Sequence, residues 1–149
     1  MHPLSDMLIR VKNAGNAAKE TVAVPYSKMK MSVAEVLARE GFLGGISRKG
    51  KKVRKNIDIT LLYQGKRPRV QGIELLSKTS RSVYIGSKSI YPVRRGSGRL
   101  IVSTPKGIMT GEEARKEWVW GEALFKILSS RKSYVNNLQT TYPDTRENN

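Results

Sequence analysis

The run Leu100-Ile101-Val102-Ser103-Thr104-Pro105-Lys106-Gly107-Ile108-Met109-Thr110-Gly111-Glu112-Glu113 sets out a strand, a loop and a helix start in direct succession. Leu100 to Val102 is an apolar run that suits a strand end. Two hydroxyls, a proline, a lysine and a glycine follow, the composition of a tight loop. Gly107 lacks a side chain, so the backbone there can approach a ligand closely. Thr110-Gly111-Glu112-Glu113 has the Thr-x-x-Glu spacing of a capping box, which predicts a short helix from Gly111 to about Glu117. A loop with hydroxyl donors and a cation suits a phosphate-and-sugar surface.

Upstream of this run, Leu4, Met7, Leu8 and Val11 fall on one helical face. Ser5 or Asp6 is placed to cap that helix, and Asn13 to Asn16 to stop it. Thr21 to Val24 is a short β-like run closed by Pro25. Ser27 suits an N-cap for a second helix ending near Arg39, with Gly41 as its stop. A hairpin follows, with six basic residues among the eight of its tip, Arg48 to Lys55. Ile57, Ile59 and Leu61 alternate with polar residues, as in a half-buried strand. Further β-like runs occupy Val70 to Leu76, Val83 to Ile85, Arg99 to Val102 and Ala123 to Leu128.

The fold class expected is α+β in two small domains. Residues 1–64 form an N-terminal α-β-α-β-β domain and 65–69, with Gly65, Pro68 and three cations, a linker. Residues 70–128 form a C-terminal, mostly β domain with one short helix. Trp118 and Trp120 read as packing that domain, and Met29 and Met109 as core filler. Residues 129–149 are rich in Asn, Thr and Ser and read as a disordered tail.

The 149 residues carry a formal net charge of +16. The tail holds three cations against two anions, which leaves +15 on residues 1–128. A surplus of this size calls for a polyanion, and nucleic acid leads, because Lys and Arg contacts to phosphate release counterions. A membrane is the competing polyanion. No apolar stretch approaches the ~20 residues of a span, and the cations are not gathered on one amphipathic helix.

There is no cysteine, and the single histidine is His2. Thiolate metal sites and multi-histidine chemistry are therefore excluded, and neither a metal nor a cofactor is expected. The twelve acidic residues show no metal-binding spacing, so an RNA-processing enzyme ranks last. Ser103-x-x-Lys106 has the spacing of some acyl-transfer enzymes, but the Ser-Asp-Asn and Lys-Thr-Gly companions are absent. Met1 to Leu8 lacks the apolar run of a signal peptide, so a cytosolic protein is the simplest expectation.

Five segments together resemble the S-eight family of small-subunit ribosomal proteins. Ser103 to Thr110 resembles that family's Ser-Thr-Ser-Lys-Gly-Val-Met-Thr signature. Asp6-Met7-Leu8-Ile9-Arg10-Val11-Lys12-Asn13-Ala14 is similar to its opening helix. Pro25 to Lys30, with Val36-Leu37 and Glu40-Gly41-Phe42, is similar to its second helix. Ser77 to Tyr84 resembles its Ser-Arg-Pro-Gly-x-Arg-Val-Tyr segment, and Gly121-Glu122 its closing Gly-Gly-Glu strand. The five run in the family's order over residues 3–128.

The resemblance implies a structural constituent of the small subunit that binds ribosomal RNA first-hand, grips an irregular helix of its central domain and supports assembly. It implies neighbouring small-subunit proteins as further partners and a cytoplasmic ribosome as the location. No small-molecule substrate and no membrane are expected. A free RNA-binding translational regulator is the alternative.

The RNA-facing residues expected on this basis are Ser103, Thr104, Lys106 and Gly107 in the signature, Gly121 and Glu122, Ser77 and Lys78, and Tyr84. Arg10, Asn13, Lys28 and Lys30 add phosphate contacts. Irregular RNA is read through its shape, 2′-OH groups and exposed bases, which suits hydroxyls and an aromatic. Glu122 otherwise reads as half of a surface ion pair, and Tyr84 as core. The hairpin tip reaches RNA or keeps strand edges apart. Pro105, Trp120 and the pair Thr79-Ser80 depart from the family pattern, and the tail runs past its usual end.

Overall fold

The computed structural model describes residues 3–51, 54–77, 83–86 and 98–129. Helix α1 spans Pro3–Asn16 and buries Leu4, Met7, Leu8 and Val11, the face marked by their spacing. It already begins at Pro3, so Ser5 and Asp6 lie in its first turn and do not cap it. Asp6 still favours the positive helix end and pairs with Arg10 one turn on, at 3.2 Å.

Strand β1 (Thr21–Pro25) leads to α2 (Lys28–Arg39). Ser27 caps α2 as its position predicts, its hydroxyl accepting from the Lys30 amide at 3.1 Å. Strands β2 (Leu43–Lys49) and β3 (Asn56–Leu61) complete an antiparallel sheet ordered β1-β3-β2. The first half of the chain is thus the expected α-β-α-β-β unit.

The stretch that reads as a linker carries structure of its own. Strands β4 (Tyr63–Gln64) and β5 (Arg67–Pro68) pair as a small hairpin. The Arg69 guanidinium donates to the Gly41 carbonyl at 3.3 Å, tying the hairpin to the end of α2.

The second half holds β6 (Val70–Leu75), β7 (Tyr84–Ile85), β8 (Gly98–Thr104), β9 (Gly107–Thr110), α3 (Gly111–Lys116) and β10 (Gly121–Ser129). The sheet runs β6-β10-β8-β9, and β7 also pairs with β10. Thr110 caps α3 in a reciprocal capping box with Glu113, as its spacing predicts.

One expectation about this half needs correcting. Ser103 to Thr110 is not a loop but a β-hairpin, with Thr104 opposite Gly107 and only Pro105-Lys106 at the turn. Proline suits that place, because its fixed φ pre-sets the first turn position and no amide is required from it. Gly107 supplies φ of +121°, which a residue with a side chain rarely adopts.

Both sheets share one apolar core. Leu4, Met7, Leu8 and Val11 of α1 meet Ile57 and Ile59 of β3, and Ile101, Phe125 and Ile127 of the second sheet. A smaller cluster of Leu100, Val102, Met109, Ala114 and Ala123 fills the sheet's opposite face under α3. Along β8, Leu100 and Val102 face the smaller cluster and Ile101 the main one, as strand alternation requires, while the irregularity between Ala123 and Phe125 lets both Leu124 and Phe125 enter the main core. Ion pairs cross the same junction: Arg39 meets Glu113 of α3 at 2.6 Å, and Arg99 of β8 meets Glu40 at 3.1 Å.

Trp118 and Trp120 do not pack this half, contrary to expectation; they are 74% and 59% exposed. Trp118, with φ of +57°, sits in the left-handed turn that ends α3 and projects outward. The chain then turns Val119 and Ala123 towards the smaller cluster, which leaves Trp120 on the outward side. Met109 is buried, and Met29 packs at the margin of the main core.

Candidate nucleic-acid interface

The central strand β10 draws three of the expected residues into one row. Glu122 lies opposite Tyr84 of β7 on one side and opposite Ser103 of β8 on the other. Partners across antiparallel strands project to the same side of the sheet. Tyr84, Glu122 and Ser103 therefore line up over two strand spacings, roughly 10 Å. Ala123, Val102 and Met109, one step along, turn to the other face and are buried.

Each member of the row presents a different chemistry. Tyr84 is 61% exposed and so is not core; its ring meets Trp120 edge-on with centroids 5.9 Å apart. Glu122 is half-buried and, among the described residues, makes no ion pair or hydrogen bond through its carboxylate. Ser103 is half-buried, and its hydroxyl is likewise unengaged among the described residues. The row thus offers an acceptor, a hydroxyl and an aromatic face in sequence.

The rest of the signature hairpin is spent on its own shape. Thr104 is buried; its hydroxyl donates to the Gly107 carbonyl at 2.8 Å and accepts from the Lys106 amide at 3.1 Å. Donating from Thr104 to a ligand would cost the bond to Gly107 that shapes the turn presenting Lys106. The Lys106 ammonium points outward and meets Glu117 at 3.2 Å. Such an exposed pair is worth about 0–1 kcal/mol, so the lysine can exchange it for a phosphate.

Gly121 has a reason to be glycine inside the protein. A Cβ at this position would lie 2.3 Å from the Ser103 carbonyl oxygen and 3.0 Å from the Thr104 side chain. β10 therefore passes flush against β8 at the root of the hairpin. Trp120, one residue earlier, leaves this close approach intact, because its side chain turns outward.

Ser77, expected to face RNA, is fully buried in this structure. Its hydroxyl donates to the Ala123 carbonyl at 2.7 Å and accepts from the Val83 amide at 2.9 Å. It pins the chain on both sides of residues 78–82 to β10 and so sets Tyr84 in register with Glu122. Lys78 lies outside the described residues.

Arg10, Asn13, Lys28 and Lys30 belong to the helices of the first half and do not join the row. Arg10 pairs with Asp6 and also donates to the Ala23 carbonyl at 3.5 Å. Asn13 and Lys28 are exposed, and Lys30 is half-buried at the start of α2. Beside them stands a basic cluster built on Tyr26, a residue assigned no role from sequence. The Arg48 guanidinium lies 5.2 Å from the Tyr26 ring centroid and the Lys55 ammonium 6.0 Å. The signal for it was present in Tyr26 itself, an aromatic next to the Ser27 cap and facing a cation-rich hairpin.

A family model described as ribosomal protein S8 matches residues 2–128. The chain belongs to the ribosomal protein S8 family. The small ribosomal subunit protein uS8 of Acidovorax sp. (strain JS42) is 43% identical over 122 residues, covering 82% of this chain and 93% of the relative. The uS8 protein of Bordetella pertussis gives the same values. That of Dictyoglomus thermophilum is 43% identical over 125 residues, 84% of this chain and 95% of the relative. The S8 match ends at residue 128, the next-to-last residue of β10, so both sheets lie within it but for Ser129.

Proposed function

We propose that this S8-family chain binds small-subunit ribosomal RNA through the row Tyr84-Glu122-Ser103 and the Lys106 tip beside it. It grips an irregular helix of the central domain and supports assembly of the subunit in the cytoplasm, next to other small-subunit proteins. The role is structural, not catalytic. The observation that carries the reading is the row: three side chains from three strands, aligned on one open side and unengaged at Glu122 and Ser103. In a chain of net charge +16, polar groups left free in this way match 2′-OH groups and base edges better than a protein interior. A carboxylate contributes there by accepting from a base amino group.

The basic cluster around Tyr26, with Lys28, Lys30 and the β2–β3 tip, supplies phosphate contacts that position the RNA. Arg10 and Asn13 extend that positioning surface along α1. The two halves act as one body in this reading, with the first anchoring backbone and the second reading shape.

The test is the affinity of the double variant Ser103→Ala, Glu122→Gln for a transcript of the small-subunit central domain. Loss of one neutral and one charged hydrogen bond should weaken binding by roughly 2–4 kcal/mol, about thirty- to a thousandfold. Circular dichroism should stay unchanged. Equal affinity of variant and wild type would remove the row from the interface.

A further inference from the structure

The aromatic pair next to the row does work that the row itself does not account for. Trp120 stands where the resembling motif has glycine, and it is 59% exposed. Leaving so large an apolar ring in water brings the folded chain no gain. Its only ring contact among the described residues is the edge-on meeting with Tyr84, at an interplanar angle of 62°. That geometry fixes the orientation of Trp120 and leaves ring surface open.

Placement follows from strand alternation. Trp120 lies two residues before Glu122, with buried Gly121 between them. Both therefore project to the same side, about 6–7 Å apart along the chain. The open ring is thus continuous with the row, at the end carrying Tyr84. Its placed neighbours are the Tyr84 ring and the polar groups of the row, not an apolar docking groove. An exposed aromatic ring next to free polar groups, on a chain whose net charge of +16 draws in a phosphate backbone, fits a nucleobase: bases are flat, π-faced and attached to those phosphates.

We propose that Trp120, braced by Tyr84, is a stacking platform for one unstacked base of the bound RNA. The proposal rests on the RNA reading given above and adds a contact that the S8 signature does not contain. Stacking is indifferent to base identity, so Trp120 adds affinity where the RNA bulges a base out, and it adds no charge-dependent term.

The chain has two tryptophans, so Trp118→Phe leaves Trp120 as the sole indole emitter. Titrating that variant with the central-domain transcript should quench its fluorescence. Trp120→Ala should bind the transcript roughly five- to a hundredfold more weakly. Its log-log salt slope should equal that of the wild type, and Trp120→Phe should recover most of the loss. An unquenched Trp120, with Trp120→Ala binding as wild type while Ser103→Ala, Glu122→Gln still loses affinity, overturns the platform and leaves the RNA reading standing. Wild-type binding by all of these variants would overturn both. Quenching by RNA-free small-subunit proteins, and not by the transcript, overturns the platform in favour of a protein partner.

Discussion

The open end of the first sheet and the open end of the second are built from opposite materials. At the first, Arg48 and Lys55 flank Tyr26, and Lys49, Lys51 and Arg54 crowd the same hairpin. At the second, the row holds one carboxylate, one hydroxyl and one phenol, and Lys106 at the hairpin tip is held by Glu117. Charge attracts any phosphate backbone, whereas a fixed row of unlike polar groups accepts only a surface of matching shape. The contrast suggests a division of labour, with attraction at one end and discrimination at the other.

Such a division requires the two ends to keep a fixed separation, and the shared core supplies the means. Phe125 of β10 is fully buried in the cluster that also holds Leu4, Leu8 and Ile59. Phe125→Ala should cost about 3–5 kcal/mol, because it removes a large ring and leaves a cavity between the sheets. Urea unfolding followed by circular dichroism checks the magnitude. A single transition in both proteins would support one body; two separate transitions would mean that the ends are joined loosely.

Gly121→Ala is the next largest effect and strikes only the second end. The new Cβ must displace the Ser103 backbone, at a cost of roughly 1–3 kcal/mol. Spreading β8 from β10 should also disturb the spacing of Ser103 and Glu122. The outcome expected is lower thermal stability together with weaker RNA binding, with an unchanged salt slope. Wild-type melting would show that the strands part without strain.

Much of the fold could be read from local signals. The face Leu4-Met7-Leu8-Val11, the Ser27 cap and the Thr110–Glu113 capping box each involve residues within two turns of one another, and each appears in the structure. The site was legible as a set of residues and not as an arrangement. Tyr84 meets Glu122 only because β7 crosses to β10, a non-local pairing that no periodicity encodes. Strand β9 escaped because its four residues begin with a glycine and end with a helix cap. Ser77 and Thr104 looked like surface hydroxyls, and their burial follows from tertiary bonds to Ala123, Val83 and Gly107. Trp118 and Trp120 looked like core because large aromatics usually are, yet the inward positions beside them belong to smaller residues.

The division of labour is tested most directly by the salt dependence of binding to the central-domain transcript, compared between two double variants. Lys51→Ala, Arg54→Ala should reduce the magnitude of the log-log slope by roughly 1.4 to 1.8, one phosphate contact for each cation removed. Ser103→Ala, Glu122→Gln should lower affinity at every salt concentration and leave the slope as it is. The reverse pattern, or two variants with the same loss and the same slope, would contradict the assignment of attraction to the first end and discrimination to the second.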